Sequence, residues 1–188
     1  MPDRVEPLRP GEEALCRRVV ETLGLTWPFP VEATGEGADA LAWMLGVEGV
    51  RHFMVAELVA VPPDKRALAH RLGYERLIPP RQWWPRVAAL CAVLEHVRAA
   101  AGGLPVRVRW VWRPPMLNRA VRGAPKSDHL ASQAADCYWP TPEAVVRADR
   151  ALAELQAAHP WMHLAVGTGR TMLHVGVLRP GGPARWSY

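Results

Sequence analysis

The sequence predicts an α+β domain. Two long segments, 83–101 and 142–159, carry apolar residues at helical spacing. Residues 106–112 (VRVRWVW) alternate in the period-2 pattern of a half-buried strand. Two short apolar runs, 163–167 and 172–177, flank Thr168-Gly169-Arg170-Thr171 and read as a hairpin. Helices and strands are segregated along the chain and do not alternate as βαβ units.

Residues 11–24 form the first expected helix. Glu12 and Glu13 open it, Leu15, Val19, Val20 and Leu23 share a face, and Gly24 ends it. A Pro-rich connector (Trp27-Pro28-Phe29-Pro30) and a Gly-spaced stretch to Gly37 follow, and 38–46 suits a short helix. His52–Val61 fits either a strand or a short helix, and periodicity does not separate the two. Residues 62–80 read as a loop with one helical turn, ending at Pro79-Pro80.

The helix over 83–101 repeats Val87, Leu90, Cys91, Leu94 and Val97 on one face, and Gly102-Gly103 stop it. In the strand that follows, Trp110 and Trp112 fall on one face. Residues 113–133 read as loop, Ala134–Trp139 as a short strand, and the tail 179–188 as irregular. The helix over 142–159 turns Val145, Val146, Ala148, Leu152 and Leu155 inward. Residues 1–51 are read as a helical, Pro-rich N-terminal extension and 52–188 as the main domain.

Composition narrows the function classes. The 188 residues hold 23 Lys+Arg against 18 Asp+Glu, a net charge of +5. That charge is scattered and no aromatic–basic motif accompanies it, so nucleic acid is not an expected partner. No apolar run approaches the roughly 18 residues of a membrane span. The start, MPDRVEPLRPGEE, lacks an apolar core, so no signal peptide is expected. Cys16, Cys91 and Cys137 are far apart with no CxxC, so neither a cysteine zinc site nor a disulfide framework is expected. A metal would have to rely on His and Asp.

The chemistry concentrates in 113–136. His129 ends the loop, Asp136 enters a strand seven residues on, and His174 lies in a later strand. Two imidazoles and a carboxylate form a plausible zinc set with one position open. The pair spacing alone is unspecific. The wider pattern is more specific: Arg113-x4-Asn118, Gly123-Ala124, SDHLASQAAD over 127–136, then His174. Over 52–188 this resembles the zinc peptidase family of D-alanyl-D-alanine carboxypeptidases and dipeptidases, phage L-alanyl-D-glutamate endolysins and the hedgehog signalling domain.

The resemblance implies a small, mostly antiparallel sheet with helices packed on one side. It implies Zn2+ on His129, Asp136 and His174. Arg113 would reach a substrate carbonyl or carboxylate, Ser127 would hold the loop or a substrate group, and Asn118 would brace the loop. The implied substrate is the peptidoglycan stem peptide, cut at a D-alanyl or L-alanyl-D-glutamate amide bond.

The departures are as informative. The family's general acid/base carboxylate stands three residues before the last His, where this chain has Thr171. A related branch has an aspartate two residues after that His, where this chain has Gly176. Ser132 replaces a glycine, and Trp110-Val111-Trp112 replaces Ser-Gly-Tyr. A hairpin turning at Gly169-Arg170 would set Ala165 opposite His174 and His163 opposite Gly176. His163 would then occupy the neighbourhood of the missing carboxylate. The alternative expectation is a non-catalytic structural or cell-wall-binding protein of the same fold. It would suit a phage-like particle, docked to other subunits through residues 1–51, made in the cytoplasm and released by lysis.

Overall fold

The computed structural model describes residues 7–27 and 37–188. The connector over 28–36 lies outside the described residues. The helices are α1 (Glu12–Thr22), α2 (Ala38–Glu48), α3 (Val55–Leu58), α4 (Arg66–Arg71), α5 (Trp84–Ala100), α6 (Pro115–Ala120) and α7 (Pro142–Ala158). The strands are β1 (Arg107–Trp110), β2 (Ala134–Tyr138), β3 (Ala165–Thr168), β4 (Met172–Gly176) and β5 (Ala184–Ser187). The sheet order is β1-β2-β4-β3-β5, antiparallel except for the parallel β3–β5 pair.

The two long helices form where their caps allow. Pro85 sits in the first turn of α5, and Gly102 and Gly103 end it at positive φ. Thr141 caps α7, its Oγ1 accepting from Ala144 N at 3.2 Å. Helix α5 is buried from Trp84 to Leu94 because α1 and α7 both pack on it. One sheet face joins this core through Val108, Ala135, Cys137, Val166, Leu173 and Val175. Strict alternation leaves Ala134, Asp136, His174 and Gly176 on the other face. All three cysteines are free and buried, and burial pushes the Cys16 thiol up to about 12.

His52–Val61, open to strand or short helix from its sequence, contains a short helix, α3. Three regions differ from expectation. The 113–133 loop holds α6 and a 3-10 turn, Asp128–Ala131. The tail contains β5, whose extended backbone is recruited by β3 and not by any apolar pattern of its own. The strand over 106–112 stops at Trp110, and its register slips between Val108 and Trp110. That bulge sets Trp110 opposite Asp136, turning the indole out of the main core and onto the site face. Trp110 packs instead in a second cluster with Val61, Ala69, Leu77 and Leu117. Among the described residues, no helix is long and apolar enough to cross a membrane.

Helix α1 is tied to the sheet by a buried charge. Glu12 is 2% exposed. Its two oxygens accept from Arg86 Nε at 2.9 Å and Nη2 at 3.0 Å. Arg9 Nε and Gln133 Nε2 donate to it at 3.1 Å each. Arg86 Nη1 also donates to Ala131 O, and Gln133 Nε2 to Leu178 O, both at 3.1 Å. One carboxylate thus links α1, α5, the turn before β2 and the chain beyond β4.

Burial would raise the Glu12 pKa, but hydrogen bonds from Arg86 and Arg9 bring it down to about 2 from its ordinary 4.5. A lowered folded-state pKa means the stabilisation is present above about pH 4.5 and fades as pH falls toward 2. Glu12→Gln leaves Arg86 buried without its countercharge, so it should cost about 3–5 kcal/mol in urea unfolding at pH 6. The gap between wild type and variant should close on acidification; a gap constant with pH would rule out the ion pair as its source.

Candidate metal centre

The register of β2 and β4 sets Asp136 directly opposite His174. His129 arrives from the 3-10 turn before β2. That turn is pinned to the chain after β1, where Arg113 N donates to His129 O at 3.0 Å. One ligand atom from each of His129, Asp136 and His174 falls within 4.8 Å of the others. The imidazoles meet edge to face, with centroids 4.9 Å apart.

Asp136 Oδ1 is the hub. It lies 3.0 Å from His174 Nδ1, in a hydrogen bond, and 3.2 Å from His129 Nε2. The second contact lacks hydrogen-bond geometry and leaves His129 Nε2 buried and unpartnered. His129 Nδ1 lies 3.0 Å from Val111 O. A carbonyl only accepts, so Nδ1 carries the proton and Nε2 presents a lone pair to the centre. Two imidazole nitrogens and a carboxylate oxygen, one nitrogen being an orphan, match the donor set of zinc.

The electrostatics agree with that fit. Burial pushes the His129 pKa down against the pull of Asp136, which favours the neutral ligand form. Burial pushes Asp136 up, but the two imidazoles outweigh it and hold the carboxyl well below the usual range. Burial lowers His174, while the neighbouring carboxylates of Asp128 and Asp136 raise it further than burial depresses it.

Arg113 stands beside this group, Nη2 3.9 Å from Asp136 Oδ2, its guanidinium 5.1 Å from the Trp110 ring centre. Asn118 is buried, and its Nδ2 donates to Ala124 O at 3.0 Å across the loop. A side chain at Gly123 would run into the Asn118 amide and the Arg113 guanidinium, so glycine is required there. Ser127 begins the 3-10 turn and lines a cleft of about 660 Å³ with Asn118, Arg119, Lys126, Asp128 and Arg179. Ser132 ends the turn at φ 57, with its buried hydroxyl unpartnered. This left-handed backbone explains why the family pattern has glycine there.

His163 does not join the site. The hairpin pairs Ala165 with Gly176 and Gly167 with His174, two residues out of the expected register. His163 falls before the strand, exposed and at φ 45, where the 3-10 turn Pro160–Met162 ends. Two carboxylates that could have stood in, those of Glu57 and Glu95, are engaged elsewhere. Glu57 Oε1 accepts from Val108 N at 2.7 Å, and Glu95 accepts from the backbone of Arg51 and His52 at 2.8 Å each.

The structure adds two residues that sequence reasoning missed. Asp128 Oδ2 lies 3.9 Å from His174 Nε2 and 3.6 Å from Arg179 Nε. The only signal for it was adjacency to His129. Trp186 of β5 lies opposite Gly167, with its ring 5.2 Å from that of His174. It had no signal, because the tail lacks strand periodicity. A Cβ on Gly167 would lie 2.5 Å from the Trp186 indole, so this glycine makes room for the ring.

A sheet carrying a His-Asp-His group on the face opposite α5 and α7 presents a candidate metal-binding domain. The family model for Peptidase M15 matches residues 64–175, well over half of the chain, and the chain belongs to that family of zinc-dependent peptidases. No curated protein matches it.

Two substitutions test the local geometry. Gly167→Ala should cost about 1–3 kcal/mol through overpacking. The cost should vanish in a Trp186→Ala background, read by a double-mutant cycle of urea unfolding. Ser132→Gly should raise stability by about 1 kcal/mol, relieving the left-handed backbone; a loss of stability would show that the hydroxyl is needed.

Proposed function

We propose that this chain is a zinc-binding peptidase domain directed at the peptidoglycan stem peptide, with His129 Nε2, Asp136 and His174 Nδ1 as the ligands. The orphaned, buried Nε2 of His129 beside an ionised Asp136 is the observation that carries this reading. When bound, zinc supplies Lewis-acid chemistry for amide hydrolysis and brings the pKa of a coordinated water to about 7. Val111 O holds the His129 ring in the required tautomer. Arg113, charged and stacked on Trp110, orients a substrate carbonyl or terminal carboxylate. Lys126 and Arg119 on the neighbouring cleft suit an acidic peptide.

One observation favours a second reading, a non-catalytic cell-wall-binding or particle component of the same fold. The Thr171 hydroxyl cannot serve as a general base at neutral pH, and Gly176 has no side chain. A missing general acid/base lowers the rate by about 10²–10⁴-fold. Under either reading, wild-type protein purified without chelator should carry one zinc per chain. Release of D-alanine or cleavage of muropeptides supports the enzyme; zinc without cleavage supports the binding protein. His129→Ala should abolish both zinc binding and any cleavage. Retained activity would show that the centre lies elsewhere.

A further inference from the structure

His174 uses one ring nitrogen toward the centre and has another to satisfy. Nδ1 faces Asp136 at 3.0 Å. Nε2 is buried and makes no hydrogen bond to the protein. The carboxylate that faces it is Asp128, with Oδ2 3.9 Å away. Arg179 Nε lies 3.6 Å from the same oxygen and helps hold that carboxylate in place.

Asp128 borders the space over Gly176, where a longer side chain would meet it. A Cβ built on Gly176 would lie 3.5 Å from Asp128 Oδ2 and 2.9 Å from Ala165 Cβ. Gly176 follows His174 by two residues on the same strand face, the place where the related sequence pattern carries aspartate. Here a carboxylate from the turn before β2 enters the volume that a side chain on β4 would fill.

We propose that Asp128 is the positioning residue for His174, accepting a hydrogen bond from Nε2–H and so fixing the tautomer and ring orientation that turn Nδ1 to the cation. A movement of about 1 Å brings the pair to hydrogen-bond distance. The inference rests on the metal reading above. It gives His174 the partner that Val111 O gives His129, so each imidazole ligand is held from its far nitrogen. It also separates Asp128 from the missing proton shuttle. Asp128 meets the ring at the nitrogen turned away from Asp136, so it acts through His174 and not on substrate.

The test measures zinc affinity by chelator competition, and the visible spectrum with Co2+ alone, in the full chain. Asp128→Ala should weaken zinc binding about 10–100-fold and alter the cobalt bands, as loss of a ligand's outer partner does. Moving the carboxylate to β4, with Gly176→Asp and Ala165→Gly added to Asp128→Ala, should recover most of the affinity. Asp128→Asn, which keeps the side chain's shape, gives a smaller loss in the same direction and serves if the alanine variant fails to fold. Zinc affinity within twofold of wild type and superimposable cobalt spectra overturn the inference while leaving the metal reading intact. A loss that relocation does not repair, with unchanged cobalt bands, assigns Asp128 to holding the turn and overturns it too. Failure of wild type itself to bind zinc overturns the metal reading and this inference with it.

Discussion

The pairing register of β2 and β4 is the constraint on which the rest depends. It places Asp136 against His174 and, by the two-residue period, Ala135 and Cys137 against α5 and α7. A slip of one residue would bury the carboxylate in the apolar core and expose alanine on the site face. The hydrophobic effect that assembles the core therefore also fixes the geometry of the centre. The apolar side chains of the inner face enforce the register far more strongly than the polar group alone could.

His129 is the one member of the centre outside the sheet, and its placement needs separate support. The turn that carries it is held at several points: Arg113 N on His129 O, Arg86 on Ala131 O, and Gln133 bridging Glu12 and Leu178. Glu12 belongs to the N-terminal segment, so α1 supports the turn before β2 through buried charge. An ion pair of this kind contributes little net stability compared with apolar packing, but each partner is costly to lose. Its effect here is to select a single arrangement of the turn.

The site face is lined by aromatic residues. The bulge in β1 turns Trp110 toward Arg113, and β5 lays Trp186 across Gly167 onto His174. Trp186 covers one side of the His174 ring, and Trp110 lies under the Arg113 guanidinium. Trp110-Val111-Trp112 stands where the family pattern has Ser-Gly-Tyr, which makes the surroundings of the centre more apolar than the pattern implies. Ser132 and Gly176 are two further departures. The first retains the glycine-like backbone at the expense of a buried hydroxyl, and the second leaves room for Asp128.

The sequence by itself determined the α+β class, both long helices, the β2 and β4 strands and the His129, Asp136, His174 set. Each rests on local periodicity or on an ordered motif, and both are properties of neighbours along the chain. Strand β5, the β1 bulge and the hairpin register were not legible, because each is decided by which edge or partner a segment meets in three dimensions. His163 was misplaced for that reason: the turn geometry moved the pairing by two residues. Asp128 shows the same limit from the other direction. One unmarked residue beside His129 became the neighbour of His174 on β4, next to a glycine 48 positions further along the chain, a juxtaposition made in space alone.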